Sequence, residues 1–432
     1  MEKTQSECFL EFQTLYPDIK IKQQKFEQLK PFFLKSARER DRQSCLCRKH
    51  VESKIVFDAC MKFRKSCEEA GEPEVPTFTS LTEAVDSTLC PKDNESPNHN
   101  LACLCRECSE CGPGKFQLSR KETSNSVVTL KRYEYVSVPD KSGEERRKIA
   151  LVTKETPVTG LFSYFHQLLK DYPYHSFMTK WQKEQFDNLP LDNIICVHDF
   201  SKNYTCRFQD EIQSQYFDPN KVSIHVSIVY RHASLQIDGK ESTEKPELIK
   251  EHIFVLSDDS TQDYHFVHHS QKLIFDYITK ELKLKVKKVH EFTDGCAGQY
   301  KSRHTFGDLS CSLADFGFQV DRHFFETSHA KGEQDAAGAN IKQRATLAVL
   351  RHETSITSAK DLCDYLSRTF RNPTSQSRSV TLKNRVFFHV PVDGDGAVPR
   401  GSQGCSFKEF QGIRKIHSIR TTPEQCKVYR TF

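Results

Sequence analysis

In the run FTDGCAGQYKSR, residues 292–303, an alternating stretch delivers a carboxylate, Asp294, straight into a glycine turn. Two further acids occupy comparable places. Asp199 closes the run NIICVHDF, and Asp335 opens a helix-forming stretch after FQVDRHFFETS. Three carboxylates brought to one point repel strongly unless cations neutralise them. Two divalent ions ~4 Å apart would do so and would clamp both oxygens of an in-line phosphoryl displacement. Oxygen ligands with open water positions suit Mg2+ or Mn2+. Glu326 and Glu333 compete with Asp335 for the third place. Gln299, Lys301 and Arg303 follow the turn after Asp294 and fit contacts to a phosphate backbone. His329 and Lys331 flank the loop before the last helix, where backbone N–H groups and cations favour an anion. His265, His268 and His269 scatter over different helical faces and read as surface or packing residues.

The cysteines suggest a second chemistry. CLCRECSEC supplies Cys103, Cys105, Cys108 and Cys111, with Cys90 upstream, and CLCRKH offers Cys45, Cys47 and His50. Thiolates three positions apart, as in Cys105-x-x-Cys108 and Cys108-x-x-Cys111, bite a zinc ion, and two such bites close a tetrahedral structural site. The expected zinc site draws on both stretches. Cys196, Cys206, Cys296, Cys311 and Cys363 are scattered and read as packing residues.

The elements needed to position the acids can be read from periodicity. KVSIHVSIVYR alternates strictly, with Val222, Ile224, Val226, Ile228 and Tyr230 on one face. EHIFVLSDD, KVKKVHEFTD and FQVDRHFFETS read as further strands, and DYHFVHHSQKLIFDYITKEL as a helix. Helices are expected near 298–316 and 333–352. The order is strand, strand, strand, helix, strand, helix, strand, helix. This predicts an α/β domain with a mixed five-stranded sheet flanked by helices. In it the first and fourth strands are neighbours, so Asp199 and Asp294 meet. Upstream, residues 8–70 carry helical spacing, 126–155 read as a hairpin and 160–189 as a helix. Four regions follow: a helical, cysteine-rich zinc- and DNA-binding segment over 1–115; a hairpin and helical connector over 116–188; the catalytic-type domain over 189–365; and an extension over 366–432.

This layout resembles the RNase H-like fold, and its acidic trio resembles that of DDE/DDD-type transposases and retroviral-like integrases. HDFSKNY, FTDGCAGQYKSR and HFFETSHAKGEQDAAGANIK resemble motifs of a group of transposon-derived animal proteins over about residues 160–360. Ala330 and Ala336 stand where that group has glycine, and Lys202 where it has an acid. The resemblance implies Asp335 as the third acid and Mg-dependent DNA strand cleavage and transfer. It also implies DNA as partner, homo-oligomers on DNA ends and a nuclear location. Two alternatives stand beside it: a catalytically inactive DNA- or chromatin-binding descendant, and an RNase H-like nuclease.

Composition is compatible with this reading. The chain has 432 residues, a formal net charge of +5 and a pI near 8.3, which permits a polyanionic partner without demanding one. No run of eighteen apolar residues is present, so no membrane helix is expected. The start, MEKTQSECFLEF, lacks a signal-peptide core, so the 17 cysteines read as reduced thiols or metal ligands inside a cell. The stretch KIKQQKFEQLKPFFLKSARERDRQ, basic and interleaved with aromatics, suits recognition of DNA ends.

Overall fold

The computed structural model describes residues 5–29, 47–71, 75–93, 97–139, 144–240, 242, 247–325, 332–373, 380–394, 396–398, 411–422 and 426–429. The chain divides into two compact units, Met1–Tyr174 and His175–Phe432. No described helix is long and apolar enough to cross a membrane.

The first unit begins with α1 (Gln5–Leu15) and α2 (Gln23–Gln28), joined by Phe9 and Phe12 packing on Phe26. Helix α3 (Arg48–Glu69) carries the buried Arg64, paired at 2.7 Å with Glu122 and lying 4.4 Å over the Phe116 ring. Two short helices follow, α4 (Leu81–Asp86) and α5 (Leu101–Leu104), capped by Ser80 and Asn100. The expected hairpin is a long antiparallel ribbon, β1 (Val127–Pro139) with β2 (Glu145–Pro157), in register from Val127↔Pro157 to Pro139↔Glu145. Helix α6 (Val158–Asp187) runs on from β2 across the division between the units.

The second unit is built on a sheet. Its strands are β3 (Asn193–Thr205), β4 (Lys221–His232), β5 (Leu248–Ser257), β6 (Lys288–Thr293), β7 (Gln319–Phe324), β8 (Thr381–His389), β9 (Ser418–Thr421) and β10 (Cys426–Tyr429). Among the described residues the sheet has eight strands in the order β10-β9-β7-β6-β3-β4-β5-β8. The expectation of five strands therefore falls short. Strands from beyond residue 380 extend it: β8 joins β5, β9 joins β7 and β10 adds to β9, because the outer strands β5 and β7 still offer unpaired backbone. β3, β4 and β5 pair antiparallel, whereas β6 is parallel to both β3 and β7. The helices between the strands are α7 (Gln213–Phe217), α8 (Leu235–Asp238), α9 (Tyr264–Asp276), α10 (Arg303–Phe316), α11 (Glu333–Leu350) and α12 (Ala359–Thr369).

The period-two pattern decides which side chains go where. Ile195 and Val197 of β3, Val222 to Ile228 at alternate positions of β4, and Phe292 of β6 form one core with Ala337, Ile341 and Ala345 of α11 and Leu362 and Leu366 of α12. The other face, with Ile194, Cys196, Val289 and Val320, packs on Val267 and Ile274 of α9 and on Phe306 and Leu309 of α10. The central β4 is buried from Val222 to Val229 although it alternates, because the polar residues of its second face, Ser223, His225 and Ser227, find partners in Asn203, Tyr300 and His198.

Candidate active site

Strand β3 does not end at Asp199, as the sequence suggested, but runs on to Thr205. The reason lies in its two neighbours. The parallel pairing with β6 stops at Val197↔Phe292, whereas the antiparallel pairing with β4 continues to Thr205↔Lys221, with a bulge between Ser201 and Tyr204. Asp199 is thus the second residue past the last parallel pair on one side, and Asp294 is the second past it on the other. Side chains two apart share a face, so both acids leave the sheet on the side of α11, at the same level.

Asp335 approaches from the first turn of α11 and adds to the charge that Asp199 feels, although the three carboxylates do not all lie within 4.8 Å of one another. It is exposed, and its Oδ2 accepts the N–H of Gly332 at 3.0 Å. Helix α11 comes close because residue 338 is glycine. A Cβ there would lie 2.6 Å from the Oγ and 2.8 Å from the Cβ of Ser201, and 3.3 Å from Val226. The Asp294 turn is fixed locally, its Oδ1 accepting the Cys296 N–H at 3.0 Å.

The three carboxyls interact. Burial, then Asp294, then Asp335 push the Asp199 carboxyl up to about 7, against a single backbone hydrogen bond from Phe200. The same field reaches the fully buried Tyr300, whose phenol is raised by burial and by Asp199 and Asp294. Its hydroxyl lies 3.1 Å from His225 Nε2. Without a cation, one carboxyl in this group keeps its proton near neutrality. A divalent ion would take the proton's place.

Other expected residues fare differently. Lys301 is buried rather than facing phosphate. Its ammonium donates to the Arg414 carbonyl at 3.0 Å and lies 4.7 Å over the Phe324 ring, because the chain returns over it before β9. Arg303 is exposed at the start of α10, and Gln299 is half-buried in the turn. Glu333 is removed from competition for the third place. Lys250 and His252 each approach its Oε1 at 2.8 Å and the Tyr230 hydroxyl donates at 3.0 Å, so it acts as a structural anchor. Glu326, His329, Lys331 and Cys45 lie outside the described residues.

Lys342 is a neighbour that the sequence reading missed. It lies two turns after Asp335 on α11, donates to the Lys202 carbonyl at 2.9 Å, and has its pKa lowered by burial and Lys202 against the pull of Asp335. The i, i+7 spacing from Asp335 was the available signal.

The zinc ligands also differ from expectation. Cys90, Cys103, Cys108 and Cys111 bring their sulfurs within 4.8 Å of one another, all from one stretch. Cys105 is outside this tetrad. Arg106 adopts a left-handed φ of 60°, which folds the chain back so that Glu107 and Cys108 both donate to the Ala102 carbonyl. That reversal sets Cys103, not Cys105, opposite Cys108. Arg106 is held there by Thr88 and the Leu169 carbonyl. Cys47 and His50 form a separate contact, Sγ to Nδ1 at 2.9 Å.

The tetrad fits zinc. Four Zn–S bonds of 2.3 Å in a tetrahedron set sulfurs ~3.8 Å apart, and Cys90 Sγ and Cys108 Sγ are separated by 3.8 Å. The Glu110 N–H is the main cause that lowers the Cys108 thiol to about 7. A cysteine tetrad able to bind a metal such as zinc is therefore part of the first unit.

Residues 178–428, well over half the chain, match the family model described as a domain of unknown function, DUF8701. The chain belongs to that family. No curated protein matches it. No solved structure matches it either. The DUF8701 match begins in the second half of α6 and runs through the large sheet to Val428 in β10, so Asp199, Asp294 and Asp335 lie inside the family's domain. The cysteine tetrad lies outside it.

Proposed function

We propose that this protein is a DDE/DDD transposase-like phosphoryl transferase with an RNase H-like domain, acting on DNA with two Mg2+ or Mn2+ ions. One observation carries the reading: the parallel pair β3–β6 ends just before two facing carboxyls, and Asp199 there titrates near 7 through burial, Asp294 and Asp335. Such a group is costly to fold unless cations join it. The strand order β7-β6-β3-β4-β5, with its parallel and antiparallel pairings, supports the same fold reading.

Asp199 and Asp294 would share one ion, and Asp335 would complete the site. In two-ion chemistry one ion activates the attacking oxygen and the other steadies the departing one. The chain's own part is to hold three acids in place. Burial of Phe292 and Val197 beneath them fixes β3 and β6, Gly338 lets α11 approach, and the Gly332 N–H orients Asp335. Arg303 is an exposed cation for the DNA backbone. The zinc tetrad would stabilise the first unit as a nuclear DNA-end-binding module.

A second reading, a non-catalytic DNA-binding descendant, rests on Lys342, a built-in cation beside Asp335. The test is Mg2+- or Mn2+-dependent nicking or joining of DNA, including any inverted repeats found on either side of the gene. Cleavage lost in Asp294→Asn with folding intact supports the first reading. An inert wild type supports the second, and cutting confined to RNA–DNA hybrids points to a nuclease.

A further inference from the structure

A second polar group lies lower on the same face of the sheet. His290 of β6 pairs with Asp321 of β7, and Phe292 with His323, so His290, Asp321 and His323 are cross-strand neighbours. One ligand atom from each lies within 4.8 Å of the others. His290 Nδ1 and His323 Nε2 face one another at 3.4 Å. At that distance the two rings share a long hydrogen bond. The separation also matches the ~3.3 Å that two imidazole nitrogens take when both bind one tetrahedral ion at 2.0–2.1 Å.

A metal-bound histidine usually donates its other N–H to an acceptor. His323 Nδ1 lies 2.9 Å from Ser418 Oγ on β9, which can accept it, and His290 Nε2 lies 3.3 Å from the side-chain Nδ2 of Asn193 on β3, an amide that accepts once it turns its oxygen to the ring. Asp321 accepts the Thr421 N–H on Oδ1 at 3.0 Å and Lys288 Nζ on Oδ2 at 3.0 Å. Each carboxylate oxygen has a second acceptor position left for an ion. Asp321 and His323 are 2% and 1% exposed, and the edge of Trp181 packs on the His323 ring.

We infer that His290, Asp321 and His323 form a binding site for a transition-metal divalent cation of the zinc or cobalt class, clasping β6 to β7. Imidazole and carboxylate ligands together select such ions over Mg2+. Through Ser418 the clasp also reaches β9, whose described pairing with β7 covers only Arg322↔Ile419 and His323↔Ser418. The site is separate from both the carboxylate trio and the cysteine tetrad.

The experiment uses the full chain carrying Asp294→Asn, which weakens ion uptake at the trio, with the cysteine tetrad first filled by one equivalent of Zn2+. Co2+ is then titrated at neutral pH. The expected result is one further ion, with the visible bands of four- or five-coordinate cobalt and no thiolate charge-transfer band. His323→Gln should lower Co2+ affinity about 100-fold, and Ser418→Ala, which keeps all three ligands, about tenfold. Hydrogen exchange of β9 amides should slow when Co2+ binds. No second ion at millimolar Co2+ overturns the inference. So does uptake that neither variant weakens, since other histidines would then be responsible. Should His323→Gln fail to fold, Ser418→Ala decides alone.

Discussion

Asp199→Asn is expected to make the protein more stable, not less, in EDTA at pH 8. Folding raises the Asp199 carboxyl from its ordinary 3.8 to about 7. Between those values the folded state keeps a proton that the unfolded chain has released. The stability linked to that proton is complete below about pH 4 and is lost as pH rises through about 7. At 1.36 kcal/mol per pH unit, the rise corresponds to ~4 kcal/mol in a fully dry site. Asp199 is half-buried and partly screened by water, which reduces this to roughly 2 kcal/mol. Asparagine keeps the shape and cannot ionise. For a unit of this size, ~2 kcal/mol moves Tm by about 4–8 °C. Thermal melts from pH 5 to pH 8.5 check this: wild type should lose stability across the range relative to Asp199→Asn. Mg2+ or Mn2+ should restore wild type at pH 8 and leave the variant unmoved. If Asp199→Asn melts at or below wild type at pH 8, or the difference between the two does not change with pH, the three carboxyls are not coupled as described.

Gly338→Ala places a methyl group 2.6–2.8 Å from Ser201, so overpacking of ~1–3 kcal/mol outweighs the helix gain of about 1 kcal/mol; urea unfolding should show a net loss, relieved by adding Ser201→Gly. Glu291→Gln leaves the buried Arg322, bonded to Glu291 at 2.8 and 2.9 Å, without its counter-charge, and should cost ~3–5 kcal/mol in urea unfolding. Burial opposes ionisation of Glu291, but Arg322 and then His198 hold its carboxyl down at about 2, so wild type should lose this contribution only as pH falls below about 4.5 towards 2. Cys103→Ser should reduce the zinc bound, measured by mass spectrometry of the metal, while Cys105→Ser should leave it unchanged.

Much of the second unit was legible because its signals are local and periodic. The alternation from Val222 to Tyr230 named the inward face of β4, and the stripe of Val267, Gln271, Ile274 and Ile278 named buried positions on α9 and the turn after it. The meeting of Asp199 with Asp294 followed from strand order alone. What escaped was set by long-range pairing or by one dihedral angle. Nothing near Cys103 in sequence announces that Arg106 turns left-handed and excludes Cys105. Lys301 looks like a surface cation until Arg414, over a hundred residues later, covers it. His290, Asp321 and His323 are ordinary within their own strands and become a group only through the register of β6 on β7. Glu333 looked equal to Asp335, two residues away, yet the helix turns it towards Lys250 and His252.

The strands that flank the five inner ones have a temporal meaning. β8 lies on β5 and β9 on β7, and both come from beyond residue 380. During synthesis the five inner strands emerge first, with an uncovered rim on either side, a state prone to sticking to other chains. The anchor of Lys301, the Arg414 carbonyl, also arrives late. Lys301, seven residues after Asp294, is therefore covered only after most of the chain has been made. A nascent chain of this protein would form the strands and helix that carry its acids before the rims of their sheet were covered.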